Sequence, residues 1–203
     1  RETGRIFRRG PKGDGVGSKS VQRYIHALVT GDYSVFEGDA DDAFVMNAGD
    51  VACAGLFDDW MYTDNTGMNQ LYTNKGAWIE AINKRMGEIK KMYAKAGIPF
   101  TWAGGETADL VDQLRTYVFD ATISAFAPMD KVVTCDDIAP GDVIMSVRSG
   151  GPCKLESKPN SGLMSNGATS ARHVLMVPKY ALEHLEIADP KGDPYTGRFE
   201  IGD

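Results

Sequence analysis

Asp14-Gly15-Val16-Gly17-Ser18-Lys19 places a carboxylate, two glycines, a hydroxyl and an amine within six residues. Glycine allows a ligand to approach the backbone closely and reaches positive φ without a steric penalty. A lysine that follows can neutralise phosphate, and an aspartate can hold the metal that accompanies it. The order is neither G-x-x-x-x-G-K-[ST] nor G-x-G-x-x-G, so neither of those phosphate loops is present. Read alone, the string is equally an ordinary glycine turn with solvated charges. Its neighbours decide between the two.

Downstream of the loop, Val21, Tyr24, Ile25 and Leu28 share one face of a helix over 20–28. Residues 31–42 read as a polar loop, with Asp41 or Asp42 capping a small apolar helix over 43–56. Asp50 stands among the apolar residues of that helix, where a buried carboxylate would need a metal or a donor. A short strand is expected over 57–62, then a turn at Asp64-Asn65-Thr66-Gly67. Trp78, Ile79, Ile82, Met86, Ile89 and Tyr93 repeat at helical spacing until Gly97 and Pro99 end the helix. Residues 101–103 form a strand leading to a turn at Gly104-Gly105, and Tyr117, Phe119, Ala121, Ile123 and Ala125 alternate as one face of a strand. Another strand is expected over 143–147, an exposed loop over 149–160, and a helix over 168–177 stopped by Pro178. The fold class is α/β in the broad, mixed α+β sense: a mixed sheet with helices on one face.

Two further strings stand in order with the first: Gly104-Gly105-Glu106-Thr107-Ala108-Asp109, and Ser161-Gly162-Leu163-Met164-Ser165-Asn166-Gly167 followed by Arg172. Met46-Asn47-Ala48-Gly49-Asp50 and Pro140-Gly141-Asp142-Val143 lie between them. This ordered set resembles the motifs of the aminoimidazole ribonucleotide (AIR) synthase family over residues 12–172, matching that family's N-terminal, nucleotide-binding half. The resemblance implies a domain over 14–177, preceded by a basic arm over 1–13 of a truncated N-terminus. Residues 178–203, rich in Pro and Gly, would be a linker or the start of a missing C-terminal domain. It also implies ATP and Mg²⁺ as cofactors and a homodimer whose sheets pair across the interface. Asp14, Asp50 and Glu106 would converge on the metal. Gly15, Gly17, Ser18, Lys19, Gly104, Gly105 and Thr107 would bind ATP and its phosphates, and Ser165 and Asn166 would face the substrate.

AIR synthase closes an imidazole ring in purine nucleotide biosynthesis, after ATP phosphorylates an amide oxygen. No protein nucleophile is needed, which suits a chain without a Ser/His/Asp or Cys/His signature. His26, His173 and His184 read as surface or packing residues. Met164 replaces the histidine that the family has before Ser-Asn-Gly, and Asp109-Leu110-Val111-Asp112 departs from its Glu-Met-Pro-Gly run. An ATP-dependent relative with a different substrate, or a non-catalytic nucleotide-binding and dimerisation module, therefore stays open beside the cyclo-ligase.

The chain has 203 residues, is 42% hydrophobic and 25% charged, and carries a formal charge of −6. These are globular values for about one domain. The acidity disfavours nucleic acid as a partner, because counterion release needs a basic face. Partners are therefore expected to be a nucleotide and a small-molecule substrate, with no membrane. Cys53, Cys135 and Cys153 are odd in number and widely spaced, which fits reduced thiols in a cytoplasmic protein better than a disulfide framework.

Overall fold

The alternating run at 117–127 becomes an interior strand of the sheet. In a computed structural model, which describes residues 5–151, 162, 164–189 and 191–202, strand β4 (Tyr117–Pro128) buries Tyr117, Phe119, Ala121, Ile123, Ala125 and Ala127. Its other face stays open, with Val118 47% exposed. Strand β1 (Phe7–Gly15) pairs antiparallel with one edge of β4 and strand β2 (Asp58–Met68) antiparallel with the other. Strand β3 (Phe100–Asp109) lies parallel to β2, giving the order β1-β4-β2-β3. A parallel neighbour needs a crossover. Helix α3 (Lys75–Lys95) supplies it, capped by the Asn74 side chain, which accepts from Ala77 N at 3.1 Å.

Helix α1 (Lys19–Thr30) follows β1, and a 3-10 turn (Tyr33–Phe36) leads into helix α2 (Glu37–Cys53). Phe44 on α2 is fully buried. Its ring centroid lies 4.5 Å from that of Phe100 and 4.7 Å from that of Tyr93. Such aromatic pairs add about 0.5–1.5 kcal/mol beyond their buried area. Helices α4 (Ala168–Leu175) and α5 (Lys179–Glu183) come last among the described residues. No described helix is long and apolar enough to cross a membrane.

The core also holds a carboxylate. Asp39 on α2 is fully buried. It accepts from Arg23 Nη1 at 2.6 Å, Tyr117 Oη at 2.7 Å and Trp78 Nε1 at 3.1 Å. Burial pushes the Asp39 carboxyl up, while Arg23 and the two ring donors hold it down. The same burial raises the Tyr117 phenol well above its ordinary value. Gly38 makes room for the pair, since a Cβ there would sit 2.8 Å from Arg23 Nε.

Several sequence expectations need correction. Residues 7–13, expected within a basic arm, belong to β1 and pair with β4 from Phe7↔Pro128 onward. Asp64-Asn65-Thr66-Gly67 is not a turn but the middle of β2, paired on both sides. Gly67 serves there by leaving space, because a Cβ would lie 2.8 Å from Leu110 Cδ1. Gly104-Gly105 is not a turn either: β3 runs through it with a register shift between Tyr62 and Asp64, and Gly104 takes φ +95°. An extra residue in one strand is a β-bulge, and glycine reaches that dihedral freely. Residues 143–147 form no strand; they are exposed, and neither free edge of the sheet pairs with them. The polar loop of 31–42 is mostly the 3-10 turn and the start of α2. The stretch after 178, expected as a linker or the start of a further domain, packs down, with Tyr180, Ala181, Ile187, Ala188 and Tyr195 buried. The loop expected at 149–160, and Cys153, fall largely outside the described residues.

Removing Arg23 would leave Asp39 buried without its cation. Arg23→Ala is expected to lower unfolding stability by about 3–5 kcal/mol, as for other broken buried pairs. Urea denaturation followed by tryptophan fluorescence measures it, and a loss below about 1 kcal/mol would show that the network contributes little.

Candidate functional site

The site is built around the end of β1. Val16 anchors it: fully buried, with its N–H donating to Phe119 O at 3.0 Å. Gly17 then takes φ +63°, and α1 begins at Lys19 with no acidic residue in its first turn. The start of a helix presents unpaired N–H groups and favours anions. The third sequence motif closes over this loop from 147 residues away. Ser165 Oγ donates to Val16 O at 2.8 Å, and Ser18 Oγ donates to Ser165 O at 3.4 Å. Buried Arg172 donates to Ser18 O at 3.2 Å and to Tyr195 Oη at 2.8 Å. The chain after α5 thereby braces the loop through Tyr195.

Lys19 Nζ lies 2.9 Å from Asp42 Oδ1, and Asp42 is also bound by Arg23. Lys19 is thus tied through Asp42 and Arg23 to the buried Asp39. Beside it a cleft of about 220 Å³ is lined by Lys19, Asp42, Val45, Met46, Met164, Ser165 and Asn166. Met164 is 60% exposed there, so it is not a core residue. The cleft joins a charged end to an apolar wall.

The three expected metal ligands do not meet. Asp14 and Asp50 converge, but on an ammonium: Lys12 Nζ is 3.3 Å from Asp14 Oδ2 and 2.9 Å from Asp50 Oδ2. Asp50 is exposed, not buried as its apolar neighbours suggested; the buried acid of α2 is Asp39. Asn47, one helical turn before Asp50, donates from Nδ2 to Asp14 O at 3.2 Å, and its own buried Oδ1 has no partner. Two converging carboxylates suit Mg²⁺, which is held by one or two carboxylates plus phosphate and water. Glu106 lies on β3, in register with Asn65, whereas Asp14 lies on β1. Three strand spacings separate those edges, roughly 14 Å at 4.7–4.9 Å each. Glu106 also points the other way: Asn65 pairs with Asp120, while Asp14 pairs with the neighbouring, core-facing Ala121. No group of three His, Cys, Asp or Glu side chains is close enough to hold a metal among the described residues. Gly104, Gly105 and Thr107 stay with Glu106 on β3, apart from the Gly15–Lys19 loop.

Sequence reasoning missed two acids. Asp120 on β4 lies over the loop from the open face of the sheet, where a Cβ on Gly15 would be 1.8 Å from Asp120 Oδ1. Asp64 on β2 accepts from Trp102 Nε1 at 2.8 Å, and burial pushes its carboxyl up. With Asp14 they line an open cleft of about 500 Å³. Asp120 occupies a polar position of an alternating strand, and Asp64 was hidden in a false turn signal, so neither stood out.

Acids on both sides of a phosphate-type loop repel an anion unless a cation comes with it. Together with the sheet, this describes a mixed α+β domain that carries a candidate anion-binding loop flanked by acids. The chain is homologous to curated phosphoribosylformylglycinamidine cyclo-ligases. It is 31% identical over 171 residues to that of Pyrococcus horikoshii and 29% identical over 171 residues to that of Pyrococcus furiosus. Each match covers 84% of this chain but 43% of the relative, so the chain spans less than half the length of these proteins. No protein-family model matches it. Among solved structures, a thiamine-monophosphate kinase from Stenotrophomonas maltophilia K279a aligns with 63% of this chain and 33% of its own, at 12% identity and a TM-score of 0.42.

Proposed function

We propose that this chain is the nucleotide-binding part of an ATP- and Mg²⁺-dependent ligase of the AIR synthase type, acting in purine biosynthesis. The observation that carries the reading is the joining of the first and third motifs through Ser165, Ser18 and Val16, beside two carboxylates that share one cation. Gly15, Gly17 and Ser18 would receive phosphate oxygens at the α1 terminus, and Lys19 would neutralise them on leaving Asp42. Asp14 and Asp50, with Asn47, would hold Mg²⁺, whose charge offsets the polyphosphate. Ser165 and Asn166 would face the small-molecule substrate.

In the proposed reaction the γ-phosphoryl group passes to an amide oxygen and ADP leaves. An amine of the same substrate then attacks the activated carbon and expels phosphate. Positioning and charge do most of such work. The uncovered sheet face, with Phe7, Met61 and Val118 exposed, supports a homodimer formed on it. Glu106 of one copy would then be free to serve a site other than the Asp14–Asp50 pair of its own chain. Sedimentation at micromolar concentration is expected to give a dimer, and a monomer would count against it.

Asp14→Asn and Asp50→Asn are each expected to weaken Mg²⁺-ATP binding roughly tenfold to a hundredfold, the worth of a charge-assisted contact. Glu106→Gln, across the sheet, should cost less. Calorimetry measures all three, and unchanged affinity in both aspartate variants would refute the cation site. Turnover is tested with the full-length protein by following release of ADP from ATP in the presence of formylglycinamidine ribonucleotide. Met164 offers only a weak sulfur acceptor at the cleft. The unmodified protein should therefore turn over slowly, and Met164→His should raise the rate without changing ATP affinity or melting temperature. Rapid turnover by the unmodified protein would defeat this expectation.

A further inference from the structure

We propose that Lys12 is a built-in stand-in for the divalent cation: its ammonium holds Asp14 and Asp50 together, and a metal must displace it to bridge them. The inference rests on the assignment of Asp14 and Asp50 as cation ligands and adds a competitor to it. Three observations support it. The Lys12 ammonium touches both acids, at 2.9 Å and 3.3 Å. Its position is set by the fold, because Lys12 and Asp14 are two apart on β1 and share a face, next to α2. The pairing is also reversible, since the Lys12 and Asp14 side chains are about one-third exposed (34% and 35%) and that of Asp50 more than half (56%). Exposed pairs are weak individually, so a competing ion of higher charge can release the ammonium. Fully buried Asn47 holds the backbone carbonyl of Asp14, so the strand position that carries the acid does not depend on the ammonium.

The consequence is an affinity gain on removing a side chain, which structural damage does not produce. When a binding-competent state is only partly populated, apparent affinity falls by that fraction. If the ammonium occupies the pair about nine-tenths of the time, its removal tightens binding by about tenfold. Lys12→Met keeps the length of the chain and removes the charge. The experiment is calorimetric titration of Mg²⁺ alone, without nucleotide, into the 203-residue chain, its Lys12→Met variant and the Lys12→Met/Asp50→Asn double variant. Mn²⁺ binding followed by the resonance of the free ion provides a second readout. Tighter binding in Lys12→Met that is lost in the double variant supports the proposal. Equal or weaker binding in Lys12→Met overturns it while leaving the cation site standing. A gain that survives Asp50→Asn overturns it as well, because the pair would not be the route. No binding by any of the three proteins overturns both the stand-in role and the cation site.

Discussion

The buried carboxylate of Asp39 holds the layers of this domain together. Its three donors come from three different elements: Arg23 from α1, Trp78 from α3 and Tyr117 from β4. Asp39 itself belongs to α2. A buried charge is tolerated only when paired and hydrogen-bonded, so each element is held to the geometry that satisfies it. Tyr117 Oη also contacts Ser20 O at 3.2 Å, tying the start of α1 to the sheet. Through Arg23 and Asp42 the network reaches Lys19. The phosphate-type loop is therefore placed by the core rather than by its own short sequence.

That dependence explains why the candidate site is assembled from distant pieces. The loop at 15–18 is covered by Ser165 and braced by Arg172 and Tyr195, while its acids come from β1, α2 and β4. Glycine at 15 and 17 keeps the backbone accessible, but its surroundings are anionic. On the proposed reading a polyphosphate would need an accompanying cation there, and the Asp14–Asp50 pair is where that cation would sit. Lys12 already neutralises part of the pair's charge.

The helices and the alternating strand were legible because their periodicity reflects one-sided burial. The run at 78–89 and the run at 117–125 both bury the faces that their patterns mark. The failures have a common cause. Asp64-Asn65-Thr66-Gly67 and Gly104-Gly105 carry turn chemistry, yet both lie in extended strands because inter-strand hydrogen bonds outweigh local preference. Asp39 looked like one more acid of a polar loop, since only the approach of Arg23, Trp78 and Tyr117 distinguishes it from Asp41. Asp50 looked buried because its sequence neighbours are apolar, but a helix exposes one face whatever flanks it.

Sequence by itself determined the motifs, their order and the apolar faces, and hence the mixed α+β class and the AIR synthase resemblance. It also supplied Asp14, Gly15, Gly17, Ser18, Lys19, Asp50, Ser165 and Arg172, but not the roles of Lys12, Asp42, Asp64, Asp120 or Tyr195. Only the tertiary structure decided which of those residues meet. Asp14 and Asp50 share an ammonium, whereas Glu106 lies three strands away on the opposite face. Strand order and pairing register set such distances, and both follow from long-range pairing that no local pattern encodes.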